Sequence, residues 1–171
     1  MTTLNPETVP GPFRNYVEYV KDKDILQALR QSGWQTAELI RNIPEEKGEH
    51  RYGPDKWSIK EVLCHMMDVE RVFIYRALRF SRTDKTPLEG FDENTYAPEA
   101  NAHSRTLAQL AREIENLRAS TIDFVTSCTP EMLERTGMAN GYEISVLALA
   151  YATAGHETHH YKLFKERYIT W

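Results

Sequence analysis

Cysteine is scarce in this 171-residue chain: Cys64 and Cys128 are the only two, which excludes a disulfide-stapled scaffold. A chain of this length buries a sufficient core without such bridges, so a single domain spanning 1–171 is expected. No apolar run approaches the roughly 20 residues of a membrane span, and the N-terminal MTTLNPETVPGPF lacks the basic and then apolar regions of a secretion signal. A cytoplasmic protein without membrane partners is therefore expected. An excess of positive charge is also missing. With a net charge of −4 and basic residues such as Lys21, Lys23, Arg30, Arg71, Arg76 and Arg79 spread among acids, nucleic acid is an unsuitable partner. Those cations read as a solvated surface.

Strand alternation flanked by hairpin turns is absent as well, and what remains is helical periodicity. Residues 1–21 hold three prolines and read as an extended arm with Phe13, Tyr16 and Tyr19 packed against the body. The first helix is predicted over 24–42, with Ile25, Leu29, Gly33, Thr36, Ala37 and Ile40 on one stripe. The second starts at a capping box, Ser58 followed by Glu61, and continues to about Phe80 with Val62, His65, Val69, Val72 and Arg76 on one face. A third covers roughly 104–126 on a seam of Leu107, Leu110, Ile114, Leu117, Thr121 and Phe124, a single turn follows at 130–134, and the fourth covers 143–168. The fold class predicted is all-α.

Segment 81–103 is too long for a link between adjacent antiparallel helices and reads as a crossover without regular structure. It implies an up-down-down-up four-helix bundle, in which the second and third helices run the same way.

Three of the six histidines fall in Gly155-His156-Glu157-Thr158-His159-His160. Positions i and i+4 are about 40° apart around a helix, so His156 and His160 can offer nitrogens to one metal ion. His65 is the best third ligand. If the second and fourth helices run antiparallel, its level along the bundle differs from theirs by only about 5 Å at 1.5 Å per residue. Asp68 and Glu61 lie on the same face as His65, either to accept an imidazole N–H or as ordinary helix charge, and His159 is placed to assist from beside His160. Ala148, Ala150, Ala152, Thr153, Ala154 and Gly155 keep the fourth helix thin, leaving room for a cavity or for close helix packing.

The segment also spells H-E-x-x-H. A zinc protease reading fails, because a third ligand downstream is required and Leu163 and Glu166 replace the glycine and histidine of the metzincin continuation. Cys64 reads as a buried thiol, His50 and His103 as solvated loop residues, and Arg118 and Arg167 as surface salt-bridge partners that could instead anchor an anionic substrate.

The stretches RYGPDKWSIKEVLCHMMDVERVFIYRALRFSR, GFDENTY and GHETHHYKLFKERY resemble the DinB-like superfamily of four-helix-bundle proteins, a group related to bacillithiol and mycothiol S-transferases. The resemblance implies a divalent metal on His65, His156 and His160, with zinc or nickel favoured over iron or manganese. It implies a hydrolase or thiol S-transferase acting on a small molecule, with a low-molecular-weight thiol as co-substrate in the second case. The catalytic group would be a metal-bound water or thiolate. The alternative is a non-catalytic metal- or ligand-binding stress-response protein. The family habit and the aromatic-rich arm suggest a homodimer, and Phe91, Asp92 and Tyr96 of the crossover are placed to cover the site.

Overall fold

The computed structural model describes residues 4–170, so the first three residues of the arm and Trp171 lie outside the described part. Four long helices make the body: α2 (Ile25–Arg41), α3 (Ile59–Ser81), α5 (Leu107–Ser127) and α7 (Val146–Leu163). Shorter ones are α1 (Gly11–Val17), α4 (Glu93–Glu99) and α6 (Pro130–Glu134), and a two-stranded hairpin, β1 (Thr136–Ala139) and β2 (Tyr142–Ser145), leads into α7. Among the described residues no helix is long and apolar enough to cross a membrane.

Each long helix begins at a side chain that takes up an orphan backbone N–H. Asp24 caps α2, Ser145 caps α7, and reciprocal capping boxes, Ser58 with Glu61 and Thr106 with Gln109, start α3 and α5. In the first box Glu61 accepts from the Ser58 backbone at 2.6 Å while Ser58 Oγ accepts from the Glu61 backbone at 3.2 Å.

Contacts fix the direction of every helix. Arg41 pairs with Glu115, and Ile25 and Leu26 share an apolar surface with Val125, so α2 and α5 are antiparallel. Arg105, just before α5, donates to Cys64 Sγ at 3.5 Å, and Thr121 donates to Glu70, so α3 and α5 run the same way. The Tyr168 hydroxyl donates to Trp57 O at one end of α3, and Arg135, whose carbonyl accepts from Val146, donates to Ser81 O at the other. Hence α3 and α7 are antiparallel. The directions are up, down, down, up for α2, α3, α5 and α7.

Burial of Leu29, Leu63, Met67, Leu110, Leu149 and Tyr151 makes the core. Each large apolar side chain so buried contributes roughly 1.5–3 kcal/mol.

Three segments differ from the sequence reading. The arm is not extended: α1 packs across α7, burying Phe13 against Phe73 at a ring separation of 5.5 Å. Gly155 makes that approach feasible, since a Cβ there would collide with the carbonyl oxygen of Tyr16. The aromatic residues offered to a dimer partner are thus engaged within the chain. Residues 136–145 form a hairpin, qualifying the all-α prediction; its turn is Asn140-Gly141, both at positive φ (50° and 78°). Finally, the crossover is not structureless, because it pairs Leu88 with Ala139 and then forms α4.

Candidate metal centre

His65 comes from α3, while His156 and His160 are one turn apart on α7, and the structure brings one ligand atom of each within 4.8 Å of the others. His156 Nε2 lies 3.2 Å from His65 Nε2 and 3.2 Å from His160 Nε2. All three side chains are enclosed, with His65 only 9% exposed. The placement follows from the antiparallel pairing of α3 and α7. It is sharpened by Trp57, whose ring lies 4.9 Å from that of His65 while its carbonyl holds Tyr168 in the π-helical turn that ends the chain's last helix.

Burial lowers the pKa of His65 to about 4, outweighing the opposite pull of Glu93. Burial, joined by the neighbouring imidazoles, holds His156 and His160 well below the ordinary value. The cluster is therefore neutral at pH 7.

Neutrality leaves the hydrogen bonding frustrated. A ring nitrogen carries either one N–H or one lone pair, so His156 Nε2 can satisfy only one of its two neighbours. His160 Nδ1 is also buried without a hydrogen-bond partner. A cation between three lone pairs removes the first conflict. Nitrogen ligands 2.0–2.1 Å from a zinc-like ion at near-tetrahedral angles are about 3.3 Å apart, close to the 3.2 Å that separates His156 Nε2 from each of the other two. The residues present fit such an ion.

The auxiliary residues are placed less favourably. Glu61 is committed to the helix cap and to Arg51 at 2.9 Å, and Asp68 pairs with Arg71 at 3.4 Å, so neither hydrogen-bonds to His65. His159 turns outward to the Tyr19 hydroxyl at 3.3 Å, with its ring centre 5.0 Å from that of His160. Cys64 is buried, and burial raises its thiol pKa. His103 pairs with Glu49 on the surface, and His50 lies against the ring of Tyr168.

Two arginines overturn the surface reading. Arg118, only 4% exposed, bridges Glu70 and Glu157 in the core and donates to Leu29 O at 2.8 Å and Ser32 Oγ at 2.7 Å. Burial opposes its charge, but Glu157 and Glu70 outweigh burial and raise its pKa. Glu157, the glutamate of the H-E-x-x-H pattern, is thus turned into an ion-pair network and is unavailable as a base in the cleft. Arg76, also 4% exposed, lines the cleft. Gly33 leaves space for Arg118, since a Cβ there would sit 2.8 Å from Arg118 Cγ.

A cleft of about 230 Å³ opens onto His65 and His156. Its walls are Phe13 and Tyr16 of α1, Val69, Phe73 and Arg76 of α3, Phe91 and Glu93 of the crossover, and Asn140 of the hairpin. Phe91 stacks with Tyr96 at 5.1 Å, whereas Asp92 is spent as the cap of α4. The three segments misread from sequence are the ones that enclose this cleft.

Among solved structures, the chain is similar to YfiT from Bacillus subtilis, described as a probable metal-dependent hydrolase with an unusual four-helix bundle topology. The TM-score is 0.74 at 15% identity over 85% of each chain, a likeness of fold. No curated protein sequence matches. The family model of the DinB superfamily matches residues 28–164, which take in α3, α5, α7, all but the first turn of α2 and the three histidines, and the protein belongs to that superfamily.

Proposed function

We propose that His65, His156 and His160 hold a divalent metal ion, zinc or nickel before iron or manganese, and that the protein is a metal-dependent hydrolase of small molecules. The observation that carries this reading is the convergence of three neutral imidazoles, with His156 Nε2 3.2 Å from the Nε2 of both His65 and His160, beside a cleft that His65 and His156 line. Three protein ligands leave coordination open, as in catalytic rather than structural sites. Such an ion supplies Lewis acidity, both for polarising a carbonyl and for acidifying water. The description of YfiT as a probable metal-dependent hydrolase supports the same assignment.

The chain's own groups have the remaining tasks. Phe13, Val69 and Phe73 give the cleft an apolar wall that excludes water from one side of a bound molecule. Tyr16 packs edge-on against His156 at 5.0 Å and limits ring rotation. The Glu93 carboxylate, reaching in from α4, is the acidic group available to take up a proton at the cleft mouth.

The test begins with metal analysis of untagged protein. Wild type is expected to carry about one ion per chain, and His160→Ala to lose it at least tenfold. Equal metal content in the two proteins would end the proposal. Esters, assayed beside thiol and electrophile pairs, then separate hydrolysis from S-transfer through a low-molecular-weight thiol. A loaded protein inert to both panels would be a non-catalytic metal-binding protein.

A further inference from the structure

Two arginines are buried among the described residues, and they differ in their partners. Arg118 has two carboxylates, whereas Arg76 has none: its one hydrogen bond is from Nη2 to the Glu89 backbone carbonyl at 2.6 Å. A guanidinium stays protonated at any physiological pH and has five N–H donors, so Arg76 is an enclosed cation with donors to spare. Such a charge is costly to bury unless an anion meets it. Burial accordingly lowers its pKa, with no acid opposing the effect.

The position of Arg76 matters as much as its isolation. It is 11 residues beyond His65 on α3, so it lies roughly 20° round the helix and about 16 Å further along. Helical side chains lean towards the N-terminus, which is the direction of the histidines. Val69 and Phe73 lie between on the same cleft wall, and the Asn140 amide joins Arg76 in lining the cleft. Glu93, the acid of the cleft, is close enough to His65 and Tyr16 to influence both.

We propose that the cleft takes a small organic acid, with its carboxylate on Arg76 and its apolar stem along Val69 and Phe73 towards the histidines. The proposal deepens the hydrolase reading and rests on it only for the fate of the far end of the molecule. A cleft of about 230 Å³ is below the size of drug-binding pockets, which suits a short chain. The guanidinium fork matches a carboxylate in a bidentate manner, and repulsion from Glu93 disfavours the reverse orientation.

Calorimetric titration of the full chain with hexanoate and with hexanamide tests this without any variant. Hexanoate is expected to bind at least about tenfold more tightly, the scale of a charge-assisted pair. The preference should vanish in Arg76→Met and survive in part in Arg76→Lys, which keeps the charge but not the fork. Equal binding of acid and amide by wild type, or an undiminished preference in Arg76→Met, would overturn the proposal. Metal content measured on the same samples separates the two readings. If His160→Ala loses its metal but keeps the preference, the carboxylate is on Arg76. If the preference leaves with the metal, the acid binds the ion and the proposal fails.

Discussion

His156 and Glu157 are neighbours on α7, yet they belong to opposite kinds of polar cluster. Glu157 faces α2 and α5, where Arg118 is met by two carboxylates, the Ser32 hydroxyl and a backbone carbonyl, and the Thr121 hydroxyl donates in turn to Glu70. His156 faces α3 and the cleft, where three imidazoles meet with no counter-charge and one nitrogen has two neighbours it cannot both satisfy. Both clusters are buried, so enclosure alone does not mark function. Neither cluster has every hydrogen bond made, since Thr36 Oγ1 beside Glu157 is also without a partner. A buried charge matched by opposite charges of the fold is structural, and a group of ligand nitrogens whose deficit only a foreign ion or ligand can fill marks a site.

The largest effect should come from breaking the charge-matched cluster. Arg118→Met leaves Glu70 and Glu157 buried together without a cation, which should cost about 3–5 kcal/mol. Urea denaturation measures the loss. A change below about 1 kcal/mol would mean that the two carboxylates share protons or admit water, and the distinction between the clusters would dissolve.

The histidine cluster should respond instead to acid. In metal-free protein the folded pKa of His65 is held at about 4, below the ordinary 6.5 of an unfolded histidine. The unfolded chain then takes up a proton first as the pH drops. Stability is fully present above pH 6.5 and is lost as the pH falls towards 4, by about 3 kcal/mol from His65 alone. His156 and His160 shift in the same direction and add to it. Denaturation in EDTA at pH 7.5 and 4.5 measures the difference. Replacing His65 with a non-titrating glutamine should remove its share of the pH dependence, and an unchanged profile would show that His65 is not held below the ordinary value in the fold.

The two clusters were unequally legible in the sequence. Histidines at i and i+4 are a local signal, and axial arithmetic from the capped start of α3 and the end of the last helix was enough to add His65. The Arg118 cluster joins residues 48 and 86 positions apart, and no local pattern pairs them. A weaker signal existed: Arg118 follows Ile114 by one turn on the seam of α5, and Gly33 is the small residue on the α2 stripe that makes room for it. The four long helices were readable because their apolar period persists over several turns. The hairpin was not, although Asn140-Gly141 is a turn signal, because strands of four residues with Met138 and Tyr142 exposed show too little alternation. For α1, prolines at 10 and 12 concealed a helix that is held by packing on α7 rather than by its own propensity.

The smallest expected effect sharpens the comparison most directly. Asp68 is the carboxylate on the His65 face that could have made the histidine cluster resemble the arginine one, by accepting an imidazole N–H and fixing the tautomer. Its side chain is 31% exposed and turned to Arg71, and burial raises its pKa against the pull of that arginine. An exposed pair of this kind is worth about 0–1 kcal/mol. Asp68→Ala should therefore change stability by less than about 0.5 kcal/mol and leave metal content as in wild type. Loss of a supporting carboxylate typically weakens metal binding 10–100-fold, so even a partial drop in bound metal would be visible in a competition titration against a chelator. Such a drop would mean that Asp68 swings onto His65 when the ion is bound, and that the histidine cluster draws on the fold for its charge balance after all.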